Sequence, residues 1–520
     1  MAATPPPCSH PTRLYRTTTH SNLATTKRIS FCCTRRRDTV TKTQTKLVAI
    51  GDSLTQGFQS GAIFLTDWSY PAMIARSMNL QIPTEFRIPR FPGSGLPLNI
   101  EALLRWMSTQ IGPDISLDEW FLHFPLLLNR FMDDVEDLYE RGIGAQPAAF
   151  GGVYHNLAVW GFRVADSYTV TSEYAVKQIS DAEGFIADDF LGLPSAPMYR
   201  TARRILNPRY RPDREDWTII DNLAQISKEE NIETLIIWLG SNDCLGTVLN
   251  LDFRPMDTTT VSSDPAERRR WNLTHPEVFR QDFAMLVKHV KANIQAETQV
   301  FVGTIAHVTI PPVTTGIEPF DGTYYQYYGR FFANQSNFNH LLQKNLTREQ
   351  AQYIDAVIDE YNAAIRDIID AEGPEWHLVE VGAILDVLAV KRNQLQDAPD
   401  RPLRNYYASL GITDHPLLRL SPVPNVLRLR TREQGERYAG GLFSLDCFHP
   451  STIGYGIVAE AFLREMQQAG VGDADPMRLD WADIIAHDTL LQTPPSLWDD
   501  ITEAAEHNST LWDVVFQVLG

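Results

Sequence analysis

The stretch Lys46–Gly57 reads KLVAIGDSLTQG, and it decides the fold class that the sequence predicts. A short apolar run rich in β-branched residues stops at Gly51 and is followed by Ser53, which predicts a strand that opens into a loop. In open α/β sheets the ligand crevice lies outside the carboxyl ends of the strands. Ser53 is therefore expected where a nucleophile would meet a substrate.

Three further motifs follow along the chain: NLAVWG at 156–161, GSND at 240–243 and DCFHP at 446–450. Each motif alone has a structural explanation, because Gly, Ser, Asn and Asp are common turn formers. Four motifs in a fixed order, three of them after apolar runs, are more specific. Together with GDSL at 51–54, they resemble the four sequence blocks of the GDSL (SGNH) hydrolases.

Apolar runs between the motifs alternate with segments of helical periodicity. The runs Val153–Val159, Glu233–Leu239, Thr298–Ile305 and Glu375–Val381 predict strands, and segments near 68–78, 166–180, 221–231, 276–294, 349–369 and 451–463 predict helices. This alternation indicates an α/β fold with a doubly wound parallel sheet. The resemblance implies the SGNH-hydrolase, flavodoxin-like type with large insertions.

The spacing of the motifs predicts the organisation of the chain. Residues 46–470 are expected to form the hydrolase domain, with insertions near 84–150, 310–346 and 396–440, and residues 471–520 to form a C-terminal extension without an assigned function. The first insertion is interpreted as a cap packed over the sheet edge, with a mobile substrate lid as the alternative. The aromatic segment Phe320–Phe332 is either a packed insertion core or part of a pocket wall.

Charge is distributed unevenly. The net charge is −18, but residues 1–45 contain eight Lys or Arg and only Asp38 as an acid, so this segment carries +7 and the remainder −25. The segment is expected to be a disordered basic tail, either a transit-like presequence or the product of a wrongly assigned start codon.

The acidic body argues against a nucleic-acid partner. No apolar run approaches the roughly 18 residues of a membrane span, and no secretory signal is evident, so a soluble and cytoplasmic protein is favoured.

The motifs carry the chemistry of a serine nucleophile. A serine hydroxyl needs an adjacent base, and Asp446 and His449 supply an oriented histidine on one short loop. Asp52 is interpreted as an acceptor that fixes the loop, because adjacent residues point to opposite sides. The resemblance assigns the oxyanion hole to the backbone N–H of Ser53, the backbone N–H of Gly161 and the side chain of Asn242. His155 and His307, beside strand ends, are interpreted as structural histidines, with a place in the lining of the site as the alternative for His307.

Cysteines and metal ligands contribute little to this interpretation. Three of the five cysteines lie in the tail, and the other two, Cys244 and Cys447, are either small buried residues or a disulfide that braces the site. Neither has the ligand spacing of a zinc site. We therefore expect no metal and no organic cofactor.

The predicted protein is an esterase or lipase that cleaves carboxylic esters, with lipid-like or aryl esters favoured, through an acyl-enzyme on Ser53. The 445–451 segment and Asn242–Cys244 also resemble the phospholipase B-like branch of the family, so phospholipase or lysophospholipase activity is the first alternative. Carbohydrate deacetylation and acyl transfer are further alternatives. A binding protein that retains the fold without turnover is the non-enzymatic one, and the oligomeric state stays open.

Overall fold

A parallel four-stranded sheet forms the centre of the protein. The computed structural model describes residues 43–112, 117–183, 196–336, 338–432 and 435–507. The strands of the sheet lie in the order Thr43–Gly51, Glu230–Trp238, Gln299–Gly303 and Trp376–Val379, and all three pairings are parallel. The predicted α/β class with a parallel sheet is confirmed.

The strands of the described residues are β1 (Thr43–Gly51), β2 (Phe58–Gln59), β3 (Ala62–Ile63), β4 (Leu96–Pro97), β5 (Glu230–Trp238), β6 (Gln299–Gly303), β7 (Thr314–Phe320), β8 (Tyr325–Arg330), β9 (Leu346–Thr347), β10 (Trp376–Val379), β11 (Arg430–Thr431) and β12 (Arg437–Ala439). The α-helices up to residue 250 are α1 (Ser53–Gln56), α2 (Tyr70–Ser77), α3 (Ile100–Ile111), α4 (Leu117–Glu136), α5 (Asp166–Thr169), α6 (Ser172–Glu183), α7 (Pro197–Leu206), α8 (Ile219–Glu229) and α9 (Gly246–Asn250). Those that follow are α10 (Pro265–Arg268), α11 (Pro276–Asn293), α12 (Arg348–Asp370), α13 (Val381–Leu388), α14 (Arg401–Ser409), α15 (Thr452–Gln468), α16 (Trp481–His487), α17 (Thr489–Gln492) and α18 (Trp498–His507).

Helices cover both faces of the sheet because its strands are apolar on both faces. Successive residues of β1 and β5 alternate between two buried clusters. Val48, Ile50, Leu235 and Ile237 pack with α8, α11 and α12, whereas Leu47, Ala49, Ile236 and Trp238 pack with α2 and α15. The sheet is therefore the middle of three layers.

The first strand begins earlier than the sequence predicts. Thr43 to Thr45 belong to β1 and pair with residues 230–232 of β5, so the boundary of the tail at residue 45 is corrected to 42. The residues before 43 lie outside the described part of the chain. The expected disordered tail therefore stays a prediction.

The segment Val153–Val159 lies beside β1 but is not the regular strand that the sequence predicts. Ala49 N donates to His155 O, Leu157 N to Ala49 O and Val159 N to Gly51 O, yet the only bridge in this stretch is at Asn156. The other hydrogen bonds go elsewhere: His155 N binds Arg87 O, and the side chain of Asn156 binds Thr55 O and Ala158 N. This competition explains the irregular geometry.

The predicted insertions and extension are packed onto the central layers. Leu103, Leu104 and Met107 of α3, in the first of these segments, belong to the same buried cluster as Val48 and Ile50 of β1. The aromatic segment forms most of the β7–β8 hairpin, and Tyr325, Tyr328, Phe331 and Phe332 are buried. Trp481 and Trp498 of the extension are also buried. No described helix combines the length and apolar composition needed to span a lipid bilayer.

Candidate active site

Ser53 stands directly beyond the end of β1, at the first residue of the short helix α1. The side chain of Asp52 caps this helix by accepting a hydrogen bond from Leu54 N at 3.0 Å. Gly51 has no space for a side chain, because a Cβ there would lie 2.0 Å from Thr55 Oγ1. The close turn from strand to helix therefore depends on Gly51, and it leaves Ser53 with only 5% of its surface exposed.

Asp446 and His449 form a buried pair. His449 Nδ1 lies 3.0 Å from Asp446 Oδ2, and both residues are almost fully buried. Because a carboxylate only accepts, Nδ1 carries the proton and Nε2 is left as an acceptor in the neutral imidazole. Within the described residues, Nε2 is buried and has no hydrogen-bond partner. One ring nitrogen of His449 is therefore held by Asp446, and the other has no partner within the described residues.

The carboxylate of Asp446 is held by further donors. Oδ1 accepts from Ser444 Oγ at 3.1 Å and from the backbone N–H groups of Phe448 and His449, and Oδ2 accepts from Gly61 N at 2.9 Å. Burial raises the pKa of the Asp446 carboxyl, but the electrostatic interaction with His449 and the hydrogen bonds from His449 and Phe448 outweigh it, so the pKa lies below its ordinary value. Asp446 is therefore ionised and fixed.

The backbone of the 446–449 loop is locally unusual. Cys447 has a φ of 67°, in the left-handed region, which residues other than glycine rarely adopt. This conformation turns the loop so that two successive N–H groups point at the carboxylate of Asp446. Cys447 and Cys244 are both buried free thiols, so the disulfide alternative is wrong.

Gly161 and Asn242 line the same cavity as Ser53. Gly161 has φ of 75°, and its carbonyl accepts from Arg269 Nη1 at 3.1 Å. The amide nitrogen of Asn242 donates to Phe162 O at 3.0 Å and to Asp52 Oδ2 at 3.3 Å. The structure therefore groups these residues as the sequence predicts, but both N–H bonds of Asn242 already have acceptors.

Asp52 has the role that the sequence analysis gives it, as an acceptor within the loop. Its two oxygens bind Leu54 N and the amide of Asn242, and it makes no hydrogen bond to His449 in the part of the chain that is described. Complete burial raises the pKa of Asp52 to about 7, with the nearby charge of Asp243 acting in the same direction. Asp446, with a lowered pKa, is the better partner for a histidine.

Two cavities of different character meet at Ser53 and His449. The first, of about 120 Å³, is lined almost wholly by aliphatic and aromatic side chains from α13, α15 and the segments 306–311 and 442–450. The second, of about 380 Å³, contains Gly161 and Asn242 and is more polar; Arg163, Arg254 and Arg269 line it. Ser53, His449, Leu245 and Phe448 line both cavities. A molecule bound across this point would contact an apolar wall on one side and a polar wall on the other.

The sequence analysis missed several residues around the site. Two hydrogen bonds connect the segment after Ser53 to the segment that carries Asp446 and His449. Ser60 N donates to Ser444 Oγ at 2.8 Å, and Gly61 N donates to Asp446 Oδ2. No local pattern signals these contacts. His307, by contrast, binds Asp386 through Nδ1 at 2.8 Å and also lines the apolar cavity, which is the alternative that the sequence leaves open for this residue.

The described residues contain no group of three or more His, Cys, Asp or Glu side chains placed to hold a metal ion. Comparisons with protein-family models, with curated proteins and with solved structures gave no match. The function must therefore be argued from the geometry of the site and from the four sequence motifs.

Proposed function

We propose that this protein is a serine hydrolase of the GDSL (SGNH) type that cleaves carboxylic esters. The observation that carries the proposal is the state of His449: Asp446 orients one ring nitrogen, the other is buried and has no partner within the described residues, and His449 lines the same two cavities as Ser53. A buried polar atom without a partner is costly, so its retention favours a role in chemistry.

The proposed reaction uses Ser53 as the nucleophile. Its hydroxyl oxygen attacks the ester carbonyl while its proton passes to His449 Nε2. The tetrahedral intermediate then collapses, the bond to the alcohol breaks, and the alcohol leaves with the proton from His449. Water attacks the acyl-enzyme by the same route and regenerates Ser53. Asp446 stabilises the imidazolium ion that forms in each half of the reaction.

The developing oxyanion needs donors that are already in place. Ser53 N–H is one candidate, because the first residue of a helix has no intrahelical acceptor for its N–H. Gly161 N–H and the Asn242 amide line the same cavity as Ser53 and are the other two. In this proposal the amide of Asn242 exchanges its longer contact, at 3.3 Å to Asp52, for the oxyanion.

The order of the extended segments supports the finer fold assignment. The segment around Asn156 lies beside β1, followed by β5, β6 and β10. If these five segments are numbered along the chain, their spatial order across the sheet is 2-1-3-4-5, the order of flavodoxin-like sheets. The order reverses next to β1, where such folds bind their ligands and where Ser53 stands.

The proposal is tested by substituting the nucleophile and the base. We expect Ser53→Ala and His449→Ala each to abolish hydrolysis of p-nitrophenyl esters, and the double variant to be no worse than either, because the two groups act as a unit. His487→Ala is the matched control: His487 also pairs with an aspartate, Asp483, at 3.0 Å, but is exposed. This control should retain activity within about two-fold. Near-normal turnover in Ser53→Ala would refute the proposal.

Covalent labelling separates an enzyme from a binding protein that keeps the fold. A fluorophosphonate should label Ser53 in the unmodified protein and in His487→Ala, and should leave Ser53→Ala unlabelled. A binding module has no reason to react. Absence of label in the folded, unmodified protein would therefore favour the non-enzymatic alternative.

A further inference from the structure

The apolar cavity beside Ser53 is lined by one face of each of two helices. From α13 it receives Val381, Ile384, Leu385 and Leu388, which follow the i, i+3, i+4, i+7 spacing of one helical face. From α15 it receives Gly454, Ile457 and Val458, again one face. Two apolar helix faces point into the same space without filling it.

The cavity is partly open to solvent, so its apolar walls are in contact with water, and a concave apolar surface of this kind is typical of a ligand-binding site. The cavity does not result from the missing side chain of Gly454. A Cβ at this position would lie 2.4 Å from Leu442 O, so a larger residue could not fill the cavity from here. Ile384 and Leu385 remain partly exposed although they are strongly apolar. Unfilled apolar space at this position therefore calls for an occupant.

The polar groups in the lining identify that occupant. Apart from Ser241, the polar side chains that reach the cavity are Ser53, His307 and His449. His307 is already bonded to Asp386, so the wall offers few free polar groups to a ligand. A sugar or a charged alcohol would lose its hydration there without compensation, whereas an alkyl chain gains about 0.8 kcal/mol, or roughly four-fold in affinity, for each CH₂ removed from water.

We infer that this cavity is the acyl-binding site of the enzyme, and that the substrate is an ester of an aliphatic acid longer than acetic acid. This inference rests on the proposed function. The alcohol then lies toward the polar cavity that contains Gly161 and Asn242, because the two cavities diverge from Ser53 and His449. An apolar cavity of ~150 Å³ accommodates a six-carbon ring, so a volume of about 120 Å³ suits an acyl chain of medium length.

The face of α13 sets the selectivity for chain length. Leu385 lies on the cavity face, whereas Val387, two residues further on, is 47% exposed and is not part of the lining. The helix therefore offers a matched pair of positions. Leu385→Trp would fill the cavity, and Val387→Trp would add the same bulk to the solvent side.

The test compares p-nitrophenyl esters from acetyl to dodecanoyl with the unmodified protein and both variants. With the unmodified protein, kcat/KM should rise about four-fold per methylene at first, so that hexanoyl exceeds acetyl by roughly 10²-fold. Leu385→Trp should lower the hexanoyl-to-acetyl ratio at least ten-fold, and Val387→Trp should leave it within two-fold. Leu388→Ala, which enlarges the cavity, should move the optimum to longer chains.

The outcomes distinguish this inference from the proposed function. If esters are hydrolysed and a fluorophosphonate labels Ser53, but acetyl is the best acyl group or the two tryptophan variants give the same ratio, the acyl site is refuted and the hydrolase stands. If neither hydrolysis nor labelling occurs in protein whose folding is verified by circular dichroism, the proposed function itself fails. Varying the alcohol at a fixed acyl group checks the assignment of sides, because Leu385→Trp should not alter that series.

Discussion

The hydrogen bonds that the side chain of Asn242 makes in the structure compete with the role that the proposed mechanism gives it. Its nitrogen bridges Phe162 O and the carboxyl of Asp52, so it holds the end of β5 against the start of α1. In the proposed mechanism the same nitrogen donates to the oxyanion. A turn former and an oxyanion donor respond differently to substitution, which makes the residue a useful probe.

We expect Asn242→Ala to lower kcat by about 10²–10³-fold and to change KM only a few-fold, because the ground-state carbonyl asks less of the amide than the oxyanion does. The free energy of unfolding should also fall by about 1–2 kcal/mol through loss of the bonds to Phe162 and Asp52. The measurement is kcat per active site titrated with the phosphonate, which counts folded enzyme alone. An unchanged kcat per titrated site would place Asn242 outside the oxyanion hole.

Single residues were predictable from the sequence where the signal was local. Ser53, Asn242 and the Asp446–His449 pair each lie within a short motif, and the structure brings them to one place. The supports of Asp446 were not predictable, because Gly61 and Asp446 are 385 positions apart. No pattern within one segment reports a hydrogen bond formed only after the chain has folded.

Among the elements, the short helix α17 in the C-terminal extension has the clearest link to the site. Its capping residue Asp488 accepts from Leu491 N at 2.9 Å and, with its second oxygen, from Ile453 N at 2.9 Å. Ile453 is the second residue of α15 and lies four residues after His449. Thr489 Oγ1 also donates to Glu101 Oε2 at 3.0 Å, which joins α3 to the extension. The extension therefore buttresses the start of α15.

The free energy that Asp488 contributes to folding should depend on pH. Burial raises the pKa of Asp488 from 3.8 in the unfolded chain to about 6, although the bonds from Ile453 and Leu491 oppose the shift. The folded state therefore holds this proton more tightly, and the stabilisation is complete below pH 3.8 and lost as the pH rises through 6. Between these values the contribution changes by up to about 1.4 kcal/mol per pH unit.

Comparison of the unmodified protein with Asp488→Asn isolates this term, because asparagine does not titrate. We expect the unfolding free energy of the unmodified protein, relative to the variant, to increase as the pH falls from 7 to 4. Urea titrations at several pH values measure it. A difference that is constant with pH, or that changes in the opposite direction, would contradict the assigned pKa shift.

The elements themselves were predicted unevenly. Strands β5 and β6 were recognised from continuous apolar runs, since burial on both faces leaves little choice of residue type. The segment around Asn156 carries the same apolar signal, but Arg87 and its own side chain take part of its hydrogen bonding, which periodicity does not report. The hairpin of β7 and β8 appeared only as an aromatic cluster, because antiparallel pairing depends on register.

Taken as one body, the described protein is less divided than its sequence suggests. The described residues from Thr43 to His507 belong to a single compact unit. The predicted extension contributes Trp481 to one large buried cluster and Trp498 to the other. Length and motif spacing gave no means of predicting this, because they show where the blocks lie and not what packs against them.

The N-terminal boundary gives a test of the corrected fold. Removal of residues 1–42 should leave the unfolding free energy unchanged, since the composition of this segment offers little apolar surface to offset the entropy of ordering it. Removal of residues 1–45 should lower it by about 2 kcal/mol, because Thr43 to Thr45 then no longer pair with β5. Urea unfolding of both truncated proteins measures the difference. Equal stability of the two would contradict the early start of β1.

The distance along the chain between Ser53 and His449 sets the interval between their synthesis on the ribosome. The two residues are 449 − 53 = 396 positions apart, and the support from Asp488 comes later still. At about 5–20 residues per second, synthesis takes roughly 20–80 s to travel from the nucleophile to the base. During that interval the growing chain carries the serine without the group that would activate it. In the proposed enzyme, ester cleavage therefore begins only after the ribosome has passed residue 449.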